Sequence, residues 1–374
     1  MGRRGQGEGS IYKRKDGRYA AAITLENRKR KTFYGKTRRE VQEKLNAALH
    51  ERQRGTLATG PQQPLNTYLE QWLEQVYKPT VKPLTFQQYS SLVKNHLMPA
   101  LGYIPLQKLT PEKIQTFYSQ MLNDGYKPRT VVLIHAILRR ALENAVRWNL
   151  ISRNVARLVT LPRVERHESQ TLTAEQAKHL LEVARGSRIE ALLLVAVTTG
   201  MRRGELLALR WDDVDFEQRV VYVRRTVSRI IGRGFVETEP KTRSGRRKIV
   251  LPEKVLEVMR MHRERQDQER IKADAKWSEH GLVFCNRRGG FIIGEHMAKT
   301  FHRFLVKAGL PYMRFHDLRH SMATILLAAG VHPKIVQERL GHSTIAITMD
   351  TYSHVLPSMQ QDVARRLGEM FGDE

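Results

Sequence analysis

The sequence predicts a multidomain, mainly α protein in three parts: a small basic α+β module over 1–57, a helical domain over 58–163, and a mixed but mainly helical domain over 164–374 with a small antiparallel sheet. Three observations predict it. Apolar residues recur at i, i+3, i+4 and i+7 through much of the chain after Leu65, the spacing of one helix face. Two polar breaks, GTLATGPQQP at 55–64 and LPRVERHESQTL at 161–172, interrupt that pattern where linkers belong. Short β-branched runs gather near the N-terminus and around 219–252. At 374 residues and 41% hydrophobic content, the chain is long enough for two or three domains with cores of their own.

In the first part, GSIYKRKDGRYAAAITL and KRKTFYG read as short strands, with Asp16-Gly17 as a turn that needs positive φ. TRREVQEKLNAALHER then opens on a capping-box pair, Thr37 and Glu40, and places Val41, Leu45, Ala48 and Leu49 on one helix face. The second part begins at LNTYLEQWLEQVY, where Leu65, Tyr68, Leu69, Trp72, Leu73, Val76 and Tyr77 form an apolar stripe. Helices follow near 84–96, 111–123 and 129–149, divided by LMPALGYIP and DGYKP. In the third part, Thr173 and Gln176 cap a helix over AEQAKHLLEVAR, and the apolar helix EALLLVAVTTG comes next. RVVYVRRTV and RKIVLP read as antiparallel strands with Ser244-Gly245 near a turn, and LVFCN as a further strand among later helices.

Charge narrows the partners. Lys and Arg (64) exceed Asp and Glu (38) by 26, and residues 1–54 alone hold 16 basic against 6 acidic residues. Such an excess points to a polyanion, most commonly nucleic acid. Arg14, Lys15 and Arg18 in the first part are candidate DNA contacts; Arg139 and Arg140 in the second either meet phosphates or simply face solvent. The single cysteine, Cys285, excludes an internal disulfide and a multi-cysteine zinc cluster. The N-terminus MGRRGQGEGS has no signal-peptide core, and the apolar run ALLLVAV is too short to cross a bilayer, so a soluble cytoplasmic protein with no membrane partner is expected.

FHDLRHSMATILLAAG at 315–330 raises a metal question, because His316 and His320 stand four apart with Asp317 between them, close to the His-Glu-x-x-His pattern of zinc hydrolases. That reading needs a third ligand and a longer acid than Asp317. Another reading emerges from four segments in order: TTGMRRGELLALRW at 198–211, PKTRSGRRKIVLP at 240–252, FHDLRHSMATILLAAG, and LGHSTIAITMDTYSHV at 340–355. Together they resemble the catalytic domain of the tyrosine recombinases, the phage integrase family, over roughly 168–356. The two preceding parts resemble, more loosely, the arm-binding and SAM-like core-binding domains of phage and conjugative-transposon integrases.

The resemblance implies a site-specific recombinase that cuts and rejoins DNA through a covalent 3′-phosphotyrosine, integrating and excising a mobile element without metal, ATP or other cofactor. It implies Arg202, Lys241, His316, Arg319, His342 and the nucleophile Tyr352 as catalytic residues, with Glu205 in support. The residue types suit the chemistry. Arginine forks grip non-bridging phosphate oxygens, an imidazole near neutrality accepts the tyrosine proton, and Lys241 protonates the departing 5′ oxygen. Arg243, Arg246, Arg247 and Lys248 crowd the same hairpin, and most of them read as charges facing phosphate. Further implications are core-type and arm-type double-stranded DNA sites, a homotetramer on the DNA synapse, host DNA-bending and excision factors, and association with the nucleoid. The tail, with Val363, Leu367, Met370 and Phe371 at helical spacing, either packs on a neighbouring protomer or folds on its own domain. Rivals are a type IB topoisomerase, separable by strand exchange between two DNAs, and a DNA-binding factor that has lost catalysis.

Overall fold

The protein is described by a computed structural model that covers residues 9–24, 30–53, 61–165, 170–240, 243–352, 364 and 367–372. It divides into two units, Met1–Arg166 and His167–Glu374.

The first unit opens with an antiparallel sheet of β1 (Ser10–Lys13), β2 (Tyr19–Thr24) and β3 (Arg30–Gly35) in that order. Gly17 adopts φ +83°, and Arg14 N–H reaches Arg18 O at 2.8 Å, so the Asp16-Gly17 turn forms as expected. Helix α1 (Arg38–Gln53) covers one sheet face, packing Val41 and Leu45 on Ala21 and Ile23. Its capping box is half formed: Thr37 Oγ1 accepts Glu40 N–H at 3.2 Å, but the Glu40 carboxylate accepts from Lys36 N–H and Lys44 Nζ instead. Lysines on both sides draw the acid away from the threonine backbone.

The same unit continues with α2 (Leu65–Trp72), α3 (Pro83–Leu92), α4 (Met98–Leu101), α5 (Pro111–Asn123) and α6 (Pro128–Arg147). Their core holds most of the expected α2 stripe, with Val76 only partly buried, and the α6 face of Val131, Ile134, Leu138, Ala141, Leu142 and Ala145. Proline opens α3, α5 and α6, where its missing N–H removes no helical bond. π-helical turns at Leu73–Tyr77 and Val93–Leu97 each insert one residue and shift the phase of the face that follows. Tyr68 keeps its hydroxyl satisfied inside the core by donating to Ala141 O at 2.5 Å.

In the second unit, Thr173 and Gln176 form the full capping box of α7 (Ala174–Val183). Helix α8 (Glu190–Thr199) is apolar on nearly every side, and Ala191, Leu192, Leu193, Val195 and Ala196 are all buried: it is a central core helix. A short α9 (Arg203–Leu206) leads to β4 (Val214–Asp215), β5 (Val220–Val223), β6 (Thr226–Ile230), β7 (Gly234–Thr238) and β8 (Arg247–Val250). One antiparallel sheet runs β4-β5-β8; β6 and β7 form a separate hairpin. The run RVVYVRRTV is therefore two strands in two sheets. The break has a cause: Arg224 and Arg225 both pair with the buried Asp213 carboxylate, at 3.3 and 2.7 Å, and turn the chain there.

Helices α10 (Glu253–Ala273), α11 (Gly294–Lys307), α12 (Asp317–Ala328), α13 (Pro333–Leu340) and α14 (Ile345–Tyr352) follow. LVFCN is not a strand. It makes one bridge, Leu282 to Arg210, because the facing segment turns into a 3-10 helix at Trp211–Asp213 and offers no second extended residue. Of the tail face, Leu367, Met370 and Phe371 are exposed, and Val363 lies outside the described residues.

Candidate active site at two helix C-termini

Helices α8 and α13 end alike, each in a left-handed glycine: Gly200 at φ +62° and Gly341 at φ +68°. A helix C-terminus presents carbonyls without intrahelical partners at the negative end of the helix dipole, which favours cations. Arginines occupy both ends. Arg319 donates from Nη1 to Gly200 O at 2.6 Å and from Nη2 to Leu340 O at 2.7 Å, joining the two caps. Arg339 reaches Thr198 O at 2.8 Å, Arg247 reaches Arg339 O at 2.7 Å, and Arg202 reaches Gly341 O at 3.4 Å. The fit is tight, since a Cβ on Gly200 would lie 2.1 Å from Met322 and one on Gly341 2.7 Å from Ser244 O.

Arg202 starts α9, and Glu205 reaches back to accept its N–H at 2.9 Å and its Nη1 at 2.8 Å. The arginine side chain remains 41% exposed while Glu205 is 3% exposed, so a cation stands open on a buried anion. Burial by itself would raise the Glu205 pKa; the charge and hydrogen bond of Arg247, with the Arg202 N–H, more than offset it and hold the carboxyl below its usual range. Arg247 is the exception among the hairpin charges. It points inward, because residue 247 shares its strand face with Ile249, which is buried.

His316 caps α12, with Arg319 in the first turn behind it. The ring of His320 meets that of His316 edge-on, with centroids 5.4 Å apart. Asp317 is turned away: its carboxylate takes the Arg314 backbone N–H and, two-pronged, the Arg314 guanidinium at 2.8 and 3.1 Å. The residues of the zinc-like pattern thus do not converge, and among the described residues no group of three or more His, Cys, Asp or Glu could hold a metal ion.

His342 follows the Gly341 cap and is held by Gln337, whose Nε2 donates to His342 O at 2.8 Å. Its Nδ1 lies 2.9 Å from Thr348 Oγ1. Thr348 is in α14 one helical turn before Tyr352, which closes that helix, so this hydrogen bond ties the turn of His342 to the helix of the expected nucleophile. Sequence reasoning missed Thr348, and a lone threonine on a short helix carries no signal of such a role.

Arg202, Glu205, His316, Arg319 and His342 therefore meet at one place. Lys241 lies outside the described residues, and Arg243 opens the 3-10 turn Arg243–Gly245 that follows it. Arg246 pairs with Glu239 beside a cleft of about 780 Å³ between the two sheets, lined also by Arg224, Arg225 and Lys248. Elsewhere, Arg14 and Arg18 pair with Asp16 at 3.6 and 2.9 Å, and Lys15 is exposed between them. Arg139 is exposed, and Arg140 lies 4.9 Å over the Tyr77 ring.

The imidazoles of His316 and His342 are both poor bases in this structure. Burial, His320 and Arg319 push His316 down to about 4; burial, Arg319 and Arg202 do the same to His342. Their unfolded value is about 6.5, so between pH 6.5 and 4 the unfolded chain binds protons that the folded protein does not. Stability should fall as pH falls through that window. Thermal melts should show a shallower loss in a His316→Asn, His342→Asn double variant, in which burial of His135 and His262 still leaves some slope; identical slopes would contradict the assignment.

The profile of the phage integrase family matches residues 170–359, and that of the phage integrase, N-terminal SAM-like domain matches 65–122. The chain is 31% identical over 376 residues to a tyrosine recombinase XerC-like protein of Caldanaerobacter subterraneus subsp. tengcongensis, covering 94% of this chain and 96% of the relative. An integrase of Streptomyces ambofaciens is 31% identical over 332 residues, with 85% and 83% covered. Among solved structures, the Tn1549 transposon integrase in complex with a circular intermediate DNA superposes with TM-score 0.68 at 24% identity, over 82% of this chain and 100% of that one. A lambda integrase tetramer bound to a Holliday junction gives 0.57 at 19%, over 91% and 94%. These structural likenesses establish the mainly helical fold with small antiparallel sheets, and the sequence matches establish its kinship: the chain belongs to the phage integrase family of tyrosine recombinases.

Proposed function

We propose that this enzyme recombines DNA at specific sites, integrating and excising a mobile element through a 3′-phosphotyrosine intermediate, with Arg202, Lys241, His316, Arg319, His342 and Tyr352 as its catalytic residues. The observation that carries the reading is the junction of the two helix caps, where the exposed fork of Arg202, the bridging Arg319 and the imidazoles of His316 and His342 come together, with His342 bonded to Thr348 one turn before Tyr352. In the reaction, Tyr352 Oη attacks the phosphorus and gives its proton to His316. The bond to the 5′ oxygen breaks, and that oxygen takes a proton from Lys241. Arg202, Arg319 and His342 stabilise the charge on the non-bridging oxygens. An entering phosphate monoanion raises the pKa of both imidazoles, which makes His316 a better acceptor when substrate is present. A different 5′ hydroxyl then reverses the attack and joins a new strand.

The test is a nicked duplex carrying the inverted repeats that flank the coding sequence, incubated with the protein in excess chelator. A protein–DNA species that survives denaturation and carries the 3′ phosphate is expected; strand cleavage that leaves both ends free would refute the reading.

The partner is double-stranded DNA at two kinds of site. Core-type DNA would lie against the site in the second unit, near Arg243 and Arg246, and Arg139 and Arg140 of the first unit would supply further phosphate contacts to it. Arm-type DNA would lie on the uncovered face of the N-terminal sheet. There the register Tyr12↔Ala20↔Tyr34 sets two half-exposed tyrosines beside a small residue, Arg14 lies 5.1 Å over the Tyr34 ring, and Lys15 and Arg18 extend the basic rim. Removing residues 1–57 should leave adduct formation on core DNA within about twofold and weaken binding to the second site at least tenfold. A mobility-shift titration at fixed salt reads it, and unchanged binding to all DNA from the element ends would overturn the arm-binding role. The exposed Leu367, Met370 and Phe371 suit packing on a neighbour in a tetrameric synapse, with host DNA-bending and excision factors as further partners. Among the described residues no helix is long and apolar enough to cross a membrane, and we place the enzyme in the cytoplasm, on the nucleoid when bound.

A further inference from the structure

We propose that Arg247 is a positioning residue that sets the charge and direction of the Arg202 guanidinium through Glu205; this rests on the recombinase reading above. Arg247 is 6% exposed and joins three separate segments. Its Nη2 donates to Glu205 Oε2 at 2.9 Å, its Nε to Arg339 O at 2.7 Å, and its Nη1 to Gly245 O at 3.1 Å. Glu205 in turn holds Arg202 by both oxygens. One buried carboxylate is thus shared by two arginines, one sealed in the core and one open to solvent.

The sharing has a direction. Arg247 neutralises the Glu205 charge from below, which leaves the Arg202 charge available to a phosphate above. Without Arg247, Arg202 is the remaining cation on Glu205 among the described residues, so the full carboxylate charge falls on it and the site loses positive potential. The same guanidinium braces the turn of His342. A Cβ on Gly341 would lie 3.0 Å from Arg247 Nη1, so strand β8 and the Gly341 cap are in direct contact.

The experiment measures single-turnover adduct formation by the full-length protein on the nicked duplex, once with a natural scissile phosphate and once with a methylphosphonate, which lacks the negative non-bridging oxygen. Arg247→Met should slow the natural substrate roughly tenfold to a hundredfold, with DNA binding unchanged. Its defect should shrink on the methylphosphonate, as should that of Arg202→Ala, because less charge has to be met. Adding Glu205→Gln to Arg247→Met should restore part of the rate, since the neutral amide no longer competes for Arg202. A purely structural role predicts equal defects on both substrates and no such rescue, and either result, or an undiminished rate, overturns the proposal. If Arg247→Met does not fold, Arg247→Lys is read in the same two-substrate comparison. Failure of the underlying reading is separate: adducts persisting in Tyr352→Phe would remove the recombinase assignment whatever Arg247 does.

Discussion

Tyr352→Phe should abolish the covalent protein–DNA adduct while leaving affinity for the same duplex within about twofold. The substitution removes one oxygen. A phenol with a pKa of about 10 is ionised in roughly one molecule per thousand at pH 7, so the tyrosine attacks only where a base takes its proton and cations stabilise the phosphorane. A phenyl ring at that position would offer neither oxygen nor proton, whereas the groups proposed to hold phosphate stand at the start of α9 (Arg202), at the start of α12 (His316, Arg319) and just after α13 (His342), not on α14. The measurement is a denaturing gel of end-labelled nicked duplex beside a native mobility shift. An adduct in the variant would show that another residue is the nucleophile; loss of both adduct and binding would show that Tyr352 supports the fold rather than the chemistry.

The second large effect is expected from Gly341→Ala. Position 341 has φ +68°, a region that costs a residue with a Cβ about 1–3 kcal/mol. The new carbon would also stand 2.7 Å from Ser244 O, a backbone atom that cannot swing aside. Either the α13 cap or the turn before β8 must move, and both belong to the site. A loss of about 2–4 kcal/mol in unfolding free energy is expected, with adduct formation reduced at least tenfold under conditions where the variant is folded. Denaturant unfolding and single-turnover cleavage check the two effects separately. Gly309→Ala is the control: it has the same sign of φ, +62°, and open space around its Cβ, so it should show the backbone cost without loss of cleavage per folded molecule.

Much of the first-order architecture was legible in the residues. The stripes Val41, Leu45, Ala48 and Leu65, Tyr68, Leu69, Trp72 are buried as their spacing implied, because an amphipathic helix has one way to hide its apolar side. The turn at Gly17 and the capping box at Thr173 were legible for a similar reason, since they satisfy backbone requirements within a few residues. LVFCN failed because a strand needs an extended partner, and the partner segment curls at Trp211. RVVYVRRTV was split by Asp213, a residue outside the run itself.

The site followed the same division. The expected catalytic residues came from four motifs in order and their resemblance to the tyrosine recombinases, not from any residue singly, and the structure describes Arg202, Glu205, His316, Arg319 and His342 at one junction while Lys241 lies outside the described residues. Arg247 is the exception among the hairpin charges, and its spacing of two from the apolar Ile249 is the signal that puts it on the buried face. Other features could not be read at all. That Arg319 bridges Gly200 and Leu340, that Glu205 is shared by Arg202 and Arg247, and that His342 touches Thr348 depend on the C-terminal ends of α8 and α13 meeting in space. Local spacing and residue chemistry specify helices, turns and caps, since each is settled within a few residues of chain. Which buried carbonyl or carboxylate satisfies each arginine is settled between segments as many as 141 positions apart, such as Arg339 and Thr198, and only tertiary packing decides it.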